Sequence, residues 1–283
     1  MSEDRSSPTF AFRIGYLADG FQGYARQPHA TTVEGTLRAG LRRRGALAPE
    51  DEARFRTASR TDRGVHALGN VVSFPTRLSG HAAARVLNSL DPRIFCSGYA
   101  PVPPTFQPRH ARERWYRYLE PKEGRRRADW ERRAALMEGE HDLASFSRRD
   151  DPPRPTRGRV TSFRVSEEGP FLVLDLRAPS FQWNQVRKMV GALELLEEGR
   201  LDEADLRQAL AGRKALSLPL APPDALVLME VDHGLRYTPP ARGGASQRRR
   251  FLEGALREVR TRETLLGWFQ SRVPPEPGPT SEP

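Results

Sequence analysis

The chain has 283 residues, 46 of them Lys or Arg and 36 Asp or Glu, for a net charge of +10. That length suggests about two domains and suffices for a hydrophobic core without disulfide or metal staples. No apolar run approaches the roughly 20 residues a membrane helix needs, the polar start MSEDRSSP is unlike a secretory leader, and the single cysteine, Cys96, excludes internal disulfides and CxxC chemistry. A cytoplasmic home is the expectation.

In chain order, residues 1–8 read as a disordered lead. Phe10, Phe12, Ile14 and Tyr16 alternate as in a strand. Thr31-Thr32-Val33-Glu34 matches a capping box, and Val33, Leu37 and Leu41 follow at helical spacing, so a helix is expected over 33–44. Short strands are expected at Arg54–Ala58 and Gly69–Phe74, a helix at Ala82–Leu90 and a strand at Ile94–Val102. The second half repeats the order: strand Arg114–Leu119, helix from Arg132 to Met137, strands Arg159–Ser166 and Phe171–Ala178 joined by a hairpin at Glu167–Pro170, helix Trp183–Glu198, an extra helix Asp202–Ala211 and strand Leu226–Asp232. The stripe Val186, Met189, Val190, Leu193, Leu196 should face the core.

This order predicts an α+β fold of two RRM-like (ferredoxin-like) βαββαβ halves, 9–108 and 109–237, with a cleft between them. Such halves can set two sheets around the cleft. Beyond them, 238–283 reads as a Pro/Gly linker, a C-terminal helical extension over Gln247–Arg272 and a disordered tail. Only Lys122, Lys188 and Lys214 are lysines, and the remaining 43 cations are arginines. Arginine's planar fork grips phosphate and stacks on bases, so nucleic acid is the partner the charge favours. General composition bias is the plain alternative.

The most informative loop joins the second and third strands: Ser59-Arg60-Thr61-Asp62-Arg63-Gly64-Val65-His66-Ala67. It sets a carboxylate between two arginines, which favour its charged form, before a glycine suited to a tight turn. An exposed ionised carboxylate can act as a nucleophile. The structural alternative is an Asx turn, with Asp62 bonded to its own backbone.

The same string resembles the GRTDAGVHA signature of the TruA family of tRNA pseudouridine synthases. Further segments match in family order. Gly23-Tyr24-Ala25-Arg26-Gln27 precedes Thr32-Val33-Glu34-Gly35. Arg114-Trp115-Tyr116-Arg117-Tyr118 resembles the R-x-Y-R-Y strand, and Glu138–Phe146 the G-x-x-D-F-x-S-F segment. Phe181–Gly191 is similar to the F-x-x-x-M-V-R-x-I-V-G helix, and Ala221–Leu228 to the AP-x-x-GL-x-L segment. The chain departs from the family at Leu17-Ala18 (often Asp-Gly), Ser59 (usually Gly), Arg63 (usually Ala), Gln185 (usually Met) and Ala225 (usually Gly).

The resemblance implies an isomerase that turns uridine into pseudouridine, detaching the base at N1 and rejoining it through C5, with no cofactor or metal. It implies tRNA as partner, modification in the anticodon stem-loop at positions 38–40, and a homodimer. Asp62 aligns with the catalytic aspartate. Tyr116 aligns with a tyrosine that stacks on the target base, and its phenol is a candidate to help remove the C5 proton. Arg187 aligns with an arginine that pairs with the aspartate, and Arg60 with one that holds the nucleotide out of the stack. Without the resemblance, Tyr116 reads as core packing and Arg187 as a solvated helix residue. His66 and Cys96 read as structural. The rival function is a non-catalytic RNA-binding protein on the same fold.

Overall fold

The computed structural model describes residues 7–148, 155–240, 245–270 and 272. The chain forms two compact units, Met1–Ala241 and Arg242–Pro283. The expected disordered lead and tail lie almost wholly outside the described residues, as does part of the expected linker.

The first unit opens with strand β1 (Thr9–Tyr16) and helix α1 (Val33–Arg43). Thr32, rather than Thr31, caps α1, its hydroxyl accepting from the Gly35 amide at 3.2 Å. Glu34 is thus one position too early to close the capping box. Its carboxylate instead accepts from the Arg26 amide (3.1 Å) and pairs with Arg38 (2.8 Å). A 3-10 turn at Pro49–Arg54 leads into β2 (Arg56–Thr57), shorter than expected, then β3 (His66–Pro75). Helix α2 (Gly80–Leu87), capped by Ser79, and β4 (Ile94–Val102) close the first half.

The second half runs β5 (Glu113–Pro121), α3 (Arg127–Ala135), β6 (Gly139–Asp142), β7 (Arg157–Val160), β8 (Ser162–Glu168), β9 (Phe171–Ala178), α4 (Gln185–Glu197), α5 (Glu203–Leu210) and β10 (Leu226–Asp232). The single strand expected at Arg159–Ser166 is interrupted at Thr161. β7 turns away to pair with β6 in a separate two-stranded sheet, and only β8 joins β9. Helix α3 starts five residues before Arg132.

The two halves do not form separate sheets. One eight-stranded sheet runs β4-β1-β3-β10-β5-β9-β8, with β2 on β3. Within each half the order is fourth strand, first, third, second. The halves meet where β10 lies parallel to β3, Val227 beside His66 and Leu228 beside Ala67. All other strand pairings in this sheet are antiparallel.

Two hydrophobic clusters hold this arrangement. The first joins Val33, Leu37 and Leu41 of α1 and Ala83, Ala84 and Leu87 of α2 to Phe12, Ile14, Phe74 and Ile94. The second joins the whole expected stripe of α4 to Trp130, Phe163, Leu174 and Leu226. Burying each such leucine contributes about 2 kcal/mol. Tyr116, on the strand beside the junction, packs against both clusters. The second unit is helix α6 (Ala245–Gln270), which carries Leu252, Leu256, Val259 and Leu266 near helical spacing.

Candidate active site

The loop between β2 and β3 is fixed from several sides. Asn70 of β3, fully buried, brackets the Ser59 backbone, accepting from its amide (3.2 Å) and donating to its carbonyl (2.9 Å). Tyr16 of β1 hydrogen-bonds the Thr61 hydroxyl at 2.8 Å, and the Tyr24 amide donates to the Thr61 carbonyl at 3.1 Å. Asp62 and Val65 close a tight turn through Val65 N–H and the Asp62 carbonyl (3.2 Å). Gly64 supplies the positive φ of 87° that this turn requires.

Arg114 anchors the loop to β5. It is 7 % exposed and meets no carboxylate among the described residues. Its guanidinium donates to the carbonyls of Ala58, Arg109 and Pro179 and to the Ser59 hydroxyl (3.2 Å). Burial lowers its pKa from the ordinary arginine value. Four neutral acceptors offset part of the large cost of burying a charge.

Held in this way, Asp62 points across the gap between the halves. Its Oδ2 lies 3.7 Å from Nη1 of Arg187, and its Oδ1 accepts from the Trp183 indole N–H at 3.1 Å. The Asx-turn alternative therefore fails, since the carboxylate bonds residues of the other half. Arg187 is no solvated helix residue: its side chain is 14 % exposed and its Nε donates to the Ala221 carbonyl at 2.7 Å. The helix it belongs to is itself tied down. Lys188 donates to the carbonyls of Ser145 (3.1 Å) and Ser147 (3.0 Å), and burial lowers its ammonium pKa.

These residues surround a cavity of about 1610 Å³. That exceeds the roughly 300–1,000 Å³ of a small-molecule pocket, so it has room for a stretch of polymer around one inserted residue. Tyr116, Asp62, Arg187 and Arg60 all line it, as do Trp183 and Phe181. Phe181 meets the Tyr116 ring edge-on, with centroids 5.2 Å apart. Burial pushes the Tyr116 phenol up to about 12. The charge of Arg114 and a hydrogen bond with Ser59 pull the other way, and the charge of Asp62 adds to the rise. The phenol therefore keeps its proton at neutral pH and offers an aromatic wall and a donor rather than a ready base. Arg60 is exposed on the rim. Nine arginines and two carboxylates line the cavity among the described residues, which makes it a basic cleft.

Sequence reasoning picked out Asp62, Tyr116, Arg60 and Arg187 and missed Trp183, Arg114 and Ser59. The run Phe181-Gln182-Trp183-Asn184 held the one available signal, an aromatic pair just ahead of the α4 stripe. His66, read as structural, accepts from the Ala18 amide through Nδ1 at 3.0 Å. Cys96, also read as structural, is buried on β4.

A sheet that sets a carboxylate, Asp62, against a guanidinium and aromatic rings in an arginine-rich cleft suits an RNA-modifying isomerase, and the comparisons agree. A family model described as tRNA pseudouridine synthase matches residues 134–233. Over 228 residues the chain is 39 % identical to the tRNA pseudouridine synthase A of Methanothermobacter thermautotrophicus, covering 80 % of this chain and 82 % of that one. It is 36 % identical over 258 residues to that of Thermococcus sibiricus, covering 90 % and 96 %. The same enzyme of Methanoculleus marisnigri is 36 % identical over 239 residues, covering 84 % and 87 %. The chain belongs to the TruA family of tRNA pseudouridine synthases, and is an isomerase. Among solved structures, a chain of a Cbf5-Nop10-Gar1 complex gives a TM-score of 0.35 at 14 % identity, over 65 % of this chain and 44 % of that one. None of the described helices is long and apolar enough to cross a membrane.

Proposed function

We propose that the protein isomerises uridine to pseudouridine in the tRNA anticodon stem-loop, at positions 38–40, without cofactor or metal, and that Asp62 is its catalytic residue. The observation that carries this reading is the Asp62–Arg187 pair at 3.7 Å, set in a basic cleft against the Tyr116 ring. A stacked base cannot reach that carboxylate, so the target uridine flips out, which costs a few kcal/mol. Arginine–phosphate contacts offset the cost and make binding weaken as salt rises.

In the cleft, Tyr116 stacks on the uracil and Arg60 holds the nucleotide out of the helix. Asp62 attacks or stabilises at the sugar or the base as the C1′–N1 bond breaks. The base turns, C1′ bonds to C5, C5 loses its proton and N1 gains one, so the reaction is a balanced isomerisation. Arg187 draws one carboxylate oxygen toward it by charge and helps to orient the side chain.

The reading extends to the organisation of the chain. Residues 9–108 and 109–237 act as two RRM-like halves, and 238–283 as an appended helical segment. The enzyme works in the cytoplasm as a homodimer.

The deciding experiment is Asp62→Ala on an unmodified tRNA transcript. Turnover should vanish while tRNA affinity stays within a few-fold. Surviving turnover would exclude Asp62. A protein that binds tRNA but forms no pseudouridine even with Asp62 intact would favour the non-catalytic RNA-binding alternative.

A further inference from the structure

Asp62 is the residue on which the proposed reaction turns, yet its side chain is 29 % exposed and sits on a loop. A carboxylate in that position rotates freely about its Cα–Cβ and Cβ–Cγ bonds unless both oxygens are held. Arg187 reaches one of them at 3.7 Å, longer than an ordinary hydrogen bond. The other oxygen, Oδ1, has the closer partner, the Trp183 indole N–H at 3.1 Å.

We propose that Trp183 is a positioning residue for the Asp62 carboxylate, its indole N–H and the Arg187 guanidinium gripping one oxygen each from the start of α4. The inference rests on the reading of Asp62 as the catalytic group.

The local backbone delivers both donors together. Trp183 stands two residues ahead of α4, and Arg187 lies in the first turn of that helix. Asn184 between them takes a positive φ of 67°, which turns the chain into the helix, and asparagine tolerates that region better than most residues. Gln185 steadies this turn by reaching back, its Oε1 accepting from the Gln182 amide at 2.8 Å. The indole is anchored as well. The Arg148 guanidinium lies 4.3 Å from its ring centroid, and the Arg148 amide donates to the Trp183 carbonyl at 3.0 Å.

The chemistry of an indole suits this position. It is a donor only and carries no charge. It fixes the carboxylate without adding a second cation that would mask the negative charge the reaction uses. A carboxylate offers about four lone-pair sites, so two contacts leave the others free toward the cavity.

The test measures turnover and tRNA affinity for Trp183→Phe and Trp183→His beside Asp62→Ala, all on an unmodified tRNA transcript. Phe keeps the ring but loses the N–H, and His keeps an aromatic N–H donor. Misplacing a reacting group by about 1 Å costs on the order of 100-fold. Trp183→Phe is therefore expected to lower kcat about 10- to 100-fold with KM within twofold, and Trp183→His to recover part of the loss. A Trp183→Phe enzyme with unchanged kcat, a loss confined to KM, or a His variant no better than Phe overturns the inference. If Asp62→Ala is inactive in that same series, only the indole's role has fallen. An active Asp62→Ala removes the reading beneath it.

Discussion

Gly64 and Pro223 meet across the boundary between the halves: a Cβ on Gly64 would stand 2.9 Å from Cγ of Pro223. The turn that carries Asp62 is thereby seated on the segment that leads into β10. Gly64→Ala meets both the clash and a φ of 87° that alanine resists. The expected destabilisation is on the order of 1–3 kcal/mol, visible as a lower Tm, with a fall in kcat because Asp62 shares the turn. Adding Pro223→Ala should recover the part due to Cγ, and leave the tight contact with Cβ at 3.2 Å and the part due to the backbone.

Arg187 acts at both ends of its guanidinium, through Nε to Ala221 and through Nη1 to Asp62. Lysine keeps the charge but has no planar fork. Arg187→Lys is expected to lower kcat by about tenfold or more at nearly unchanged tRNA affinity, in line with the cost of a misplaced reacting group. Steady-state kinetics with a filter-binding measurement checks this.

Arg114 is a structural clasp with a charge. Arg114→Met leaves the Ala58, Arg109 and Pro179 carbonyls without the donor they now share. The Ala58 carbonyl, whose bond is buried, costs about 1–3 kcal/mol when left unpaired, whereas water can replace the donor at Arg109 and Pro179, which are exposed residues. A net loss of about 1–2 kcal/mol in a denaturant titration is the expectation.

Glu120 on β5 gives the first unit a pH dependence. Its side chain is 4 % exposed and pairs with Arg125 at 3.1 Å. Burial and then the nearby Glu194 push its carboxyl up to about 7, against the pull of Arg125. The folded value lies above the ordinary 4.5, so the folded protein holds this proton more tightly than the unfolded chain. Stability linked to Glu120 is therefore full below about pH 4.5 and falls as pH rises toward 7. Glu194 shifts in the same direction through its own burial. Tm should decline between pH 5 and 8, and Glu120→Gln should flatten the decline. An equal slope in the two proteins would contradict the assignment.

Elements whose signal is local were legible in the sequence. Strands Ile94–Val102, Phe171–Ala178 and Leu226–Asp232 match their expected limits, because alternation and flanking turn residues mark both ends. The α4 stripe is buried throughout, since a helix's periodicity is written in its own residues. The β6–β7 hairpin was invisible: Gly139-Glu140-His141-Asp142 carries no apolar alternation, and its partner lies beyond a long connection. The fusion of the halves through β3 and β10 leaves no local trace either. In the cleft, the motif pointed to the carboxylate and its guanidinium. The indole contact spans 121 residues and depends on a backbone turn at Asn184 that sequence does not announce.

The parallel seam between β3 and β10 also sets a timetable. Synthesis proceeds from the N-terminus, so a ribosome that has finished β4 has made Asp62 but neither Tyr116, Trp183 nor Arg187. The strand that locks the halves side by side, Leu226–Asp232, emerges after every other strand of the sheet. A nascent chain that stalls short of it has the His66–Ala67 end of β3 without its β10 neighbour, so the two halves cannot join edge to edge until translation delivers this strand.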